Sequence, residues 1–221
     1  MTLRPRLIIF DCDGVLVDSE SLAAENLRAE LMAIGFSGAT SDYLARLRGR
    51  TMAEAMRMVE ADWGRTLPDD FLVRLRARDV GAFERHLKAV AGVQEILDRL
   101  PVPVCVASSG SPEKIRHSLG LTGLLKRFEP HLFSAASVAR GKPAPDLFLL
   151  AARTMGTAPA DCAVIEDSVP GIVAAVAAGM HPLGFVGASH GGETLETALA
   201  QAGAARVFRD MRDLPELLGF A

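Results

Sequence analysis

The sequence predicts an α/β fold: a doubly wound parallel sheet with an inserted all-helical cap domain. Short apolar runs recur along the chain with helical patterns between them, which is typical of parallel strands covered on both faces. One long segment lacks such runs and shows only helical periodicity. At 221 residues the chain can bury a substantial interior in a core and a smaller second domain.

Five apolar runs are candidates for strands of the sheet. They are LIIF at 7 to 10, VPVCVA at 102 to 107, HLFSA at 131 to 135, CAVI at 162 to 165 and PLGFV at 182 to 186. Helices are predicted between them, because Ser111 and Pro112 form an N-cap followed by a first-turn proline, and Asp146 can cap another helix that Gly156 ends. This alternation predicts a core domain formed by residues 1–16 and 89–221.

Residues 17–88 are predicted to form the helical insert. Three helical periodicities follow one another there, beginning at Ala24, at Met52 and, more loosely, at Leu72. Thr51 and Glu54 have the spacing of a capping box, which predicts the start of the second helix. Since the insert is entered after the first strand, we expect it to cover one edge of the sheet as a cap.

Composition and charge exclude several classes of protein. A net charge of −3 and a pI near 6.0 argue against a nucleic acid or an anionic membrane surface as the main partner. No run approaches the roughly 20 apolar residues that a membrane span needs, so we expect a cytoplasmic protein, and a monomer. Cys12, Cys105 and Cys162 are widely separated and suggest neither a disulfide framework nor a zinc site.

Polar side chains follow the predicted strands at the edge where ligands bind in open parallel sheets. The acids are Asp11 and Asp13 after the first run and Glu166 and Asp167 after the fourth; Ser108 and Ser109 follow the second, and Lys142 lies beyond the third. Asp11 and Asp13 are two residues apart in an extended segment, so both carboxylates can face one side while Cys12 points away.

Clustered carboxylates raise one another's pKa unless a divalent cation neutralises them, and oxygen ligands suit Mg²⁺. Phosphoryl transfer needs an in-line nucleophile and neutralised phosphate oxygens. Mg²⁺, Lys142, the Ser108 hydroxyl and backbone N–H groups of the SSGS segment at 108 to 111 would supply that charge. The residues therefore predict phosphate chemistry.

Four segments together resemble the haloacid dehalogenase-like phosphatases. They are DCDGVLVDSE at 11 to 20, the serine that closes the second strand, the lysine of RGKPAPDLF, and VIEDSVPGIVAAVAAGM at 164 to 180. The resemblance covers nearly the whole chain and is to the helical-cap branch, in the sugar-phosphatase and β-phosphoglucomutase-like group. It implies a Rossmann-like core.

The resemblance also implies roles for single residues. Asp11 would be the nucleophile, and Asp13 the general acid and then base. Asp11, Asp167 and the backbone carbonyl of Asp13 would bind Mg²⁺, with Glu166 a ligand directly or through water. Ser108, Ser109 and Lys142 would bind the phosphate.

In the cap, Arg48 and Arg50 lie just before Thr51. They could hold a remote polar group of the substrate, or they could be solvated surface residues. The sequence leaves both interpretations open.

Rival activities within and beyond the family are disfavoured by particular residues. Phosphosugar mutases of the family carry a cap histidine where this chain has Ala23 and an arginine where Met52 aligns. Asp13 argues against a dehalogenase, which has no use for a second aspartate that protonates a leaving alkoxide. It also argues against a phosphoacceptor switch, because a general base beside the phosphoaspartate would shorten the lifetime of that group. A phosphonate hydrolase would need a cap lysine, and the insert has only Lys88, at its end.

The prediction is therefore a Mg²⁺-dependent phosphatase acting on a small phosphorylated metabolite, such as a sugar or sugar-acid phosphate.

Overall fold

The computed structural model describes residues 4–47, 52–188 and 193–220. They form two compact units: the described residues up to Ser19 together with those from Leu87 onward, and Glu20–His86. Backbone contacts explain where the first unit ends. Val17 pairs with Ala89 in an isolated bridge, and the Asp18 N–H donates to the Lys88 carbonyl at 3.0 Å.

The first unit contains a parallel sheet in the order β3-β2-β1-β4-β5-β6. Its strands are β1 (Leu7–Phe10), β2 (Val104–Ser108), β3 (Leu132–Ser134), β4 (Cys162–Glu166), β5 (His181–Phe185) and β6 (Arg206–Phe208). From β1 the chain adds β2 and β3 on one side of the sheet, and then β4, β5 and β6 on the other side. In such sheets a crevice forms where the direction reverses, which here is at the carboxyl ends of β1 and β4. The predicted doubly wound parallel sheet is confirmed, and β6 is a further strand that the sequence did not reveal.

Helices cover the sheet of the first unit. They are α5 (Val93–Leu97), α6 (Pro112–Leu121), α7 (Leu125–Phe128), α8 (Asp146–Thr154), α9 (Val169–Ala177), α10 (Glu193–Ala202) and α11 (Leu214–Leu217). One core cluster joins β1, β2 and β4 to α8 and α9, with Ile9, Val164 and Phe148 fully buried. On β1, every residue is buried, because helices cover both faces of a doubly wound sheet.

The second unit is helical, with α1 (Glu20–Ala33), α2 (Ser41–Leu47), α3 (Met52–Trp63) and α4 (Phe71–His86). The three predicted periodicities correspond to α1, α3 and α4, whereas α2 has only seven residues and is too short to show a period. Leu31, Val59 and Phe71 lie in its core. The predicted capping residue Thr51 lies outside the described residues.

A buried carboxylate joins two helices of this unit. Glu30 on α1 is 5% exposed and accepts a hydrogen bond from Arg78 Nε on α4 at 2.8 Å, and Arg74 Nε lies 3.4 Å from its other oxygen. Asn26 Nδ2 donates to Asp79 Oδ1 at 2.9 Å between the same helices. These polar contacts specify how α1 and α4 pair.

No helix in the part of the chain that the structure describes is long and apolar enough to cross a membrane. Cys12, Cys105 and Cys162 are free thiols, and all three are buried.

Candidate active site

The acidic residues predicted after β1 and β4 lie at the carboxyl ends of these neighbouring strands. The Asp11 N–H donates to the Ile165 carbonyl at 2.9 Å, so Asp11 prolongs the pairing of β1 with β4 by one residue. Asp11 is 8% exposed and Asp167 7%. The chain then turns sharply at Gly14, whose φ of 77° favours glycine.

Lys142 lies at the centre of the site, although it comes from the segment after β3. Its Nζ donates to Asp11 Oδ1 at 2.6 Å, to Glu166 Oε1 at 2.5 Å and to the Ala107 carbonyl at 3.0 Å. The three N–H donors of the ammonium thus have three acceptors. The last acceptor belongs to the residue before Ser108, so Lys142 joins the ends of β1, β2 and β4.

Glu166 has both carboxylate oxygens engaged and no solvent exposure. Oε1 accepts from Lys142, while Oε2 accepts from the backbone N–H of Ser168 at 3.0 Å and from its hydroxyl at 2.8 Å. The Ser168 hydroxyl also caps α9, since it accepts from the Gly171 N–H at 3.1 Å. A single serine therefore connects the helix end to the carboxylate that holds Lys142.

The electrostatics of the site show a surplus of negative charge. Burial raises the pKa of Asp11 well above its ordinary value, and the nearby Glu166 and Asp167 carboxylates raise it further, against the opposing effect of Lys142. Burial lowers the pKa of Lys142, but the Asp11 and Glu166 carboxylates outweigh this and raise it overall. The carboxyl groups of Asp11, Glu166 and Asp167 outnumber the single ammonium of Lys142, so a bound cation would balance the charge of the site.

Asp13 is held at both oxygens by residues that the sequence did not single out for a role. The Ser19 hydroxyl donates to Oδ1 at 2.7 Å, and Lys114 Nζ donates to Oδ2 at 2.7 Å. Burial lowers the pKa of Lys114, but the Asp13 carboxylate, together with the nearby Cys12 and Asp11, raises it overall. The sequence carried one signal for the contact between Lys114 and Asp13. A lysine in the first turn of a helix is unfavourable beside the positive end of the helix dipole, which suggests an acidic partner from another segment.

Ser108 ends β2 with 1% exposure, and its Oγ accepts from the Gly110 N–H at 3.1 Å. The Gly110 carbonyl in turn accepts from the Ser134 hydroxyl at 2.6 Å. Ser109, which lies between Ser108 and Gly110 in the chain, is exposed. This turn presents backbone N–H groups ahead of α6, which Ser111 caps by accepting from the Lys114 N–H.

The model of one family matches residues 5–179 of this sequence, and its description is haloacid dehalogenase-like hydrolase. The chain belongs to the haloacid dehalogenase-like hydrolases. The predicted family is therefore confirmed.

Solved structures of the haloacid dehalogenase-like family share the fold of this chain. A haloacid dehalogenase-like protein from Agrobacterium tumefaciens str. C58 is 38% identical with a TM-score of 0.90, and the match covers 97% of each chain. A family hydrolase from Deinococcus radiodurans R1, solved with bound phosphate and sodium, is 31% identical with a TM-score of 0.84, covering 97% of this chain and 96% of that one. The Rossmann-like α/β fold expected from the resemblance is confirmed.

Among curated proteins, 6-phosphogluconate phosphatase from Escherichia coli (strain K12) is 29% identical over 215 residues, which are 97% of this chain and 95% of the relative. Together with the family match, such relatives confirm the prediction of an enzyme, a phosphoric monoester hydrolase of the haloacid dehalogenase-like type.

The structure brings Lys142 into direct contact with both Asp11 and Glu166 and places Asp167 close enough to raise the pKa of Asp11. Asp13 meets Lys114 instead. Arg48 and Arg50 lie outside the described residues. Within the described ranges, no three side chains of His, Cys, Asp or Glu form a ready-made metal cluster.

Proposed function

We propose that this chain is a Mg²⁺-dependent phosphatase that hydrolyses a small sugar or sugar-acid phosphate through an aspartyl-phosphate on Asp11. The observation that carries the proposal is the buried contact of Lys142 with Asp11 and Glu166 at the ends of β1 and β4. A buried nucleophilic carboxylate beside an ammonium is suited to a dianionic phosphate. The similarity to 6-phosphogluconate phosphatase supports the substrate class.

The donor set fits Mg²⁺. The Asp11 and Asp167 carboxylates and the backbone carbonyl of Asp13 are hard oxygen donors, which Mg²⁺ prefers. When bound, Mg²⁺ supplies positive charge to the phosphate oxygens and to the crowded carboxylates. Glu166 has its oxygens engaged by Lys142 and Ser168, which supports a role through water or through Lys142.

The first half-reaction transfers the phosphoryl group to the protein. A carboxylate oxygen of Asp11 attacks phosphorus in line, the bond from phosphorus to the ester oxygen breaks, and Asp13 gives its proton to that leaving oxygen. Lys142, the Ser108 hydroxyl and the N–H groups of the turn after β2 hold the phosphate oxygens. Asp11 is 8% exposed, so few water molecules compete with the phosphate for its carboxylate.

The second half-reaction returns Asp11 to its starting state. Asp13, now a carboxylate, takes a proton from a water molecule whose oxygen attacks phosphorus. The bond between phosphorus and the Asp11 oxygen breaks, and inorganic phosphate leaves. Asp13 is again protonated for the next substrate.

The test is Mg²⁺-dependent release of phosphate from an aryl phosphate. Asp11→Asn removes the nucleophile, and we expect it to lower turnover by more than about 1,000-fold. Asp69→Asn, a change of an exposed acid in the second unit, serves as the matched control and keeps full activity. Near-normal turnover of Asp11→Asn would refute the mechanism, and full activity in excess EDTA would refute the metal.

A panel of phosphometabolites, compared by kcat/KM, tests the substrate class. We expect sugar phosphates and sugar-acid phosphates to rank above nucleotides and phosphoamino acids. The same panel separates hydrolysis from transfer within a sugar, because only hydrolysis liberates inorganic phosphate. A sugar phosphate that is isomerised without phosphate release would support the mutase alternative.

A further inference from the structure

Lys114 reaches Asp13 from a different part of the sheet edge. It lies in the first turn of α6, directly after the turn that follows β2, and is 101 positions away from Asp13 in the chain. Its Nζ lies 2.7 Å from Asp13 Oδ2, and the two side chains are 46% and 26% exposed. The contact links the segment proposed to bind phosphate to the proposed acid–base residue.

The lysine side chain passes close to Gly110 on its way to Asp13. A Cβ added at Gly110 would lie 3.4 Å from Lys114 Cδ and 3.4 Å from Ser108 Oγ, so the alkyl chain crosses the glycine backbone beside Ser108. Beyond this point the ammonium reaches Asp13 and donates to Oδ2 at 2.7 Å. The ammonium therefore contacts one oxygen of the carboxylate, while Ser19 contacts the other.

Stability alone does not account for a lysine at this position. A partly exposed ion pair contributes about 1 kcal/mol or less, and a cation in the first turn of a helix opposes the helix dipole. Ser19 already binds Oδ1 at 2.7 Å, so a second donor on Oδ2 fixes the rotation of the carboxylate about its own axis. A fixed carboxylate is useful where a proton must be delivered in one direction.

We propose that Lys114 is a positioning residue that orients the Asp13 carboxyl group toward the leaving oxygen of the substrate. The inference rests on the proposed function, in which Asp13 protonates that oxygen. In the step, the proton passes from Asp13 to the ester oxygen as its bond to phosphorus breaks, and the lysine keeps its own protons. Lys114 therefore acts through Asp13 and contributes most where protonation of the leaving group is most needed.

The experiment measures kcat/KM for phosphate esters with leaving groups of decreasing acidity: a nitrophenol, phenol and a simple alkanol. None carries a second anionic group, so direct binding of the substrate by Lys114 does not confuse the result. Because kcat/KM reports the steps up to departure of the leaving group, it isolates the acid step. The variants are Lys114→Met, Lys114→Arg and Asp13→Asn, with Lys126→Met, a change of an exposed lysine on α7, as the control.

A misaligned acid loses part of the roughly 100- to 10,000-fold contribution of general acid catalysis. We expect Lys114→Met to lower kcat/KM about 10-fold or more for the alkyl ester and less than about 2-fold for the nitrophenyl ester. Lys114→Arg restores most of the activity toward the alkyl ester. Asp13→Asn shows the same dependence on the leaving group with a larger loss, and Lys126→Met changes nothing.

If Lys114→Met lowers kcat/KM equally for all three esters, or for none of them, while Asp13→Asn still shows a dependence on the leaving group, the positioning role of Lys114 is wrong. If Asp13→Asn itself shows no dependence on the leaving group, the proposed acid is wrong, and the inference fails with it. Methionine is a good helix former, so α6 is retained in Lys114→Met. Circular dichroism of each variant checks this, and the arginine variant tests the proposal even if the methionine variant is poorly folded.

Discussion

Gly171 lies in the first turn of α9, and its missing side chain makes room for the Glu166 carboxylate. A Cβ at this position would lie 1.9 Å from Glu166 Cδ and 2.0 and 2.2 Å from its two oxygens. Such distances are far shorter than any non-bonded contact. Glu166 has no space to retreat without releasing Lys142 and Ser168, because both of its oxygens are bonded to them. Gly171→Ala therefore forces the carboxylate away from Lys142.

The cost of Gly171→Ala follows from the burial of the displaced pair. The side chains of Lys142 and Glu166 are only 4% and 1% exposed. Disrupting a buried ion pair costs about 3–5 kcal/mol, while alanine in place of glycine inside a helix recovers about 1 kcal/mol. The net loss is about 2–4 kcal/mol, which corresponds to a fall in Tm of roughly 5–15 °C for a chain of this length.

We expect catalysis to suffer as well, because Lys142 would shift relative to Asp11. A displacement of about 1 Å in a catalytic group can reduce turnover about 100-fold. Thermal unfolding and phosphatase assays of Gly171→Ala measure the two effects. The matched control is Gly120→Ala in α6, where an added Cβ meets nothing within 4 Å and alanine should leave stability unchanged or raise it.

A double-mutant cycle tests the cause of the loss. Glu166→Ala removes the carboxylate and vacates the space that the new methyl group needs. In that background, adding Gly171→Ala should be neutral or slightly stabilising. If the two losses add in full, or if Gly171→Ala alone is as stable and active as the unchanged protein, the steric reasoning is wrong.

Two further predictions concern the metal site and the helical unit. Mg²⁺ at about 100 times its Kd should stabilise the protein by about 2.7 kcal/mol, which thermal unfolding measures as an increase in Tm. Asp167→Asn should abolish most of the increase in Tm that Mg²⁺ produces, and the control Asp161→Asn should retain it. If Mg²⁺ raises the Tm of the two variants equally, Asp167 is not part of the metal site. Glu30→Gln should lower the free energy of unfolding of the helical unit by about 1 kcal/mol, because its arginine partners are partly exposed, and added salt should narrow the difference. Urea denaturation measures this against Glu25→Gln, an exposed position on α1, and identical stability of the two variants would contradict a stabilising role for the buried carboxylate.

Local patterns were sufficient to predict most strands and the groups that follow them. The runs at β1, β2, β4 and β5 are apolar because their residues are covered on both faces, so hydrophobicity alone reveals them. β6 has three residues, of which Arg206 is exposed, and it carries no such signal. Short edge strands become strands through pairing with a neighbour, which a single segment does not encode.

The placement of the site residues shows the same division. Strand-end position predicted that Asp11 and Lys142 would meet, and the structure joins them at 2.6 Å across 131 positions of chain. The lysine on Asp13 was not predicted, because the pattern around Lys114 describes a helix start and says nothing about the direction of its side chain. The need for glycine at 171 was equally invisible, since it arises from a carboxylate that approaches from β4.

The sequence by itself determined the fold class, the family and the set of acids, hydroxyls and lysine that form the candidate site. These follow from residue types, their periodicity and their order, which are properties of the chain alone. Only the tertiary structure decided which carboxylate each cation holds: Lys142 for Asp11 and Glu166, and Lys114 for Asp13. The physical reason is that an ion pair depends on distances of a few ångströms between segments far apart in the chain, and only the packed sheet and helices set those distances.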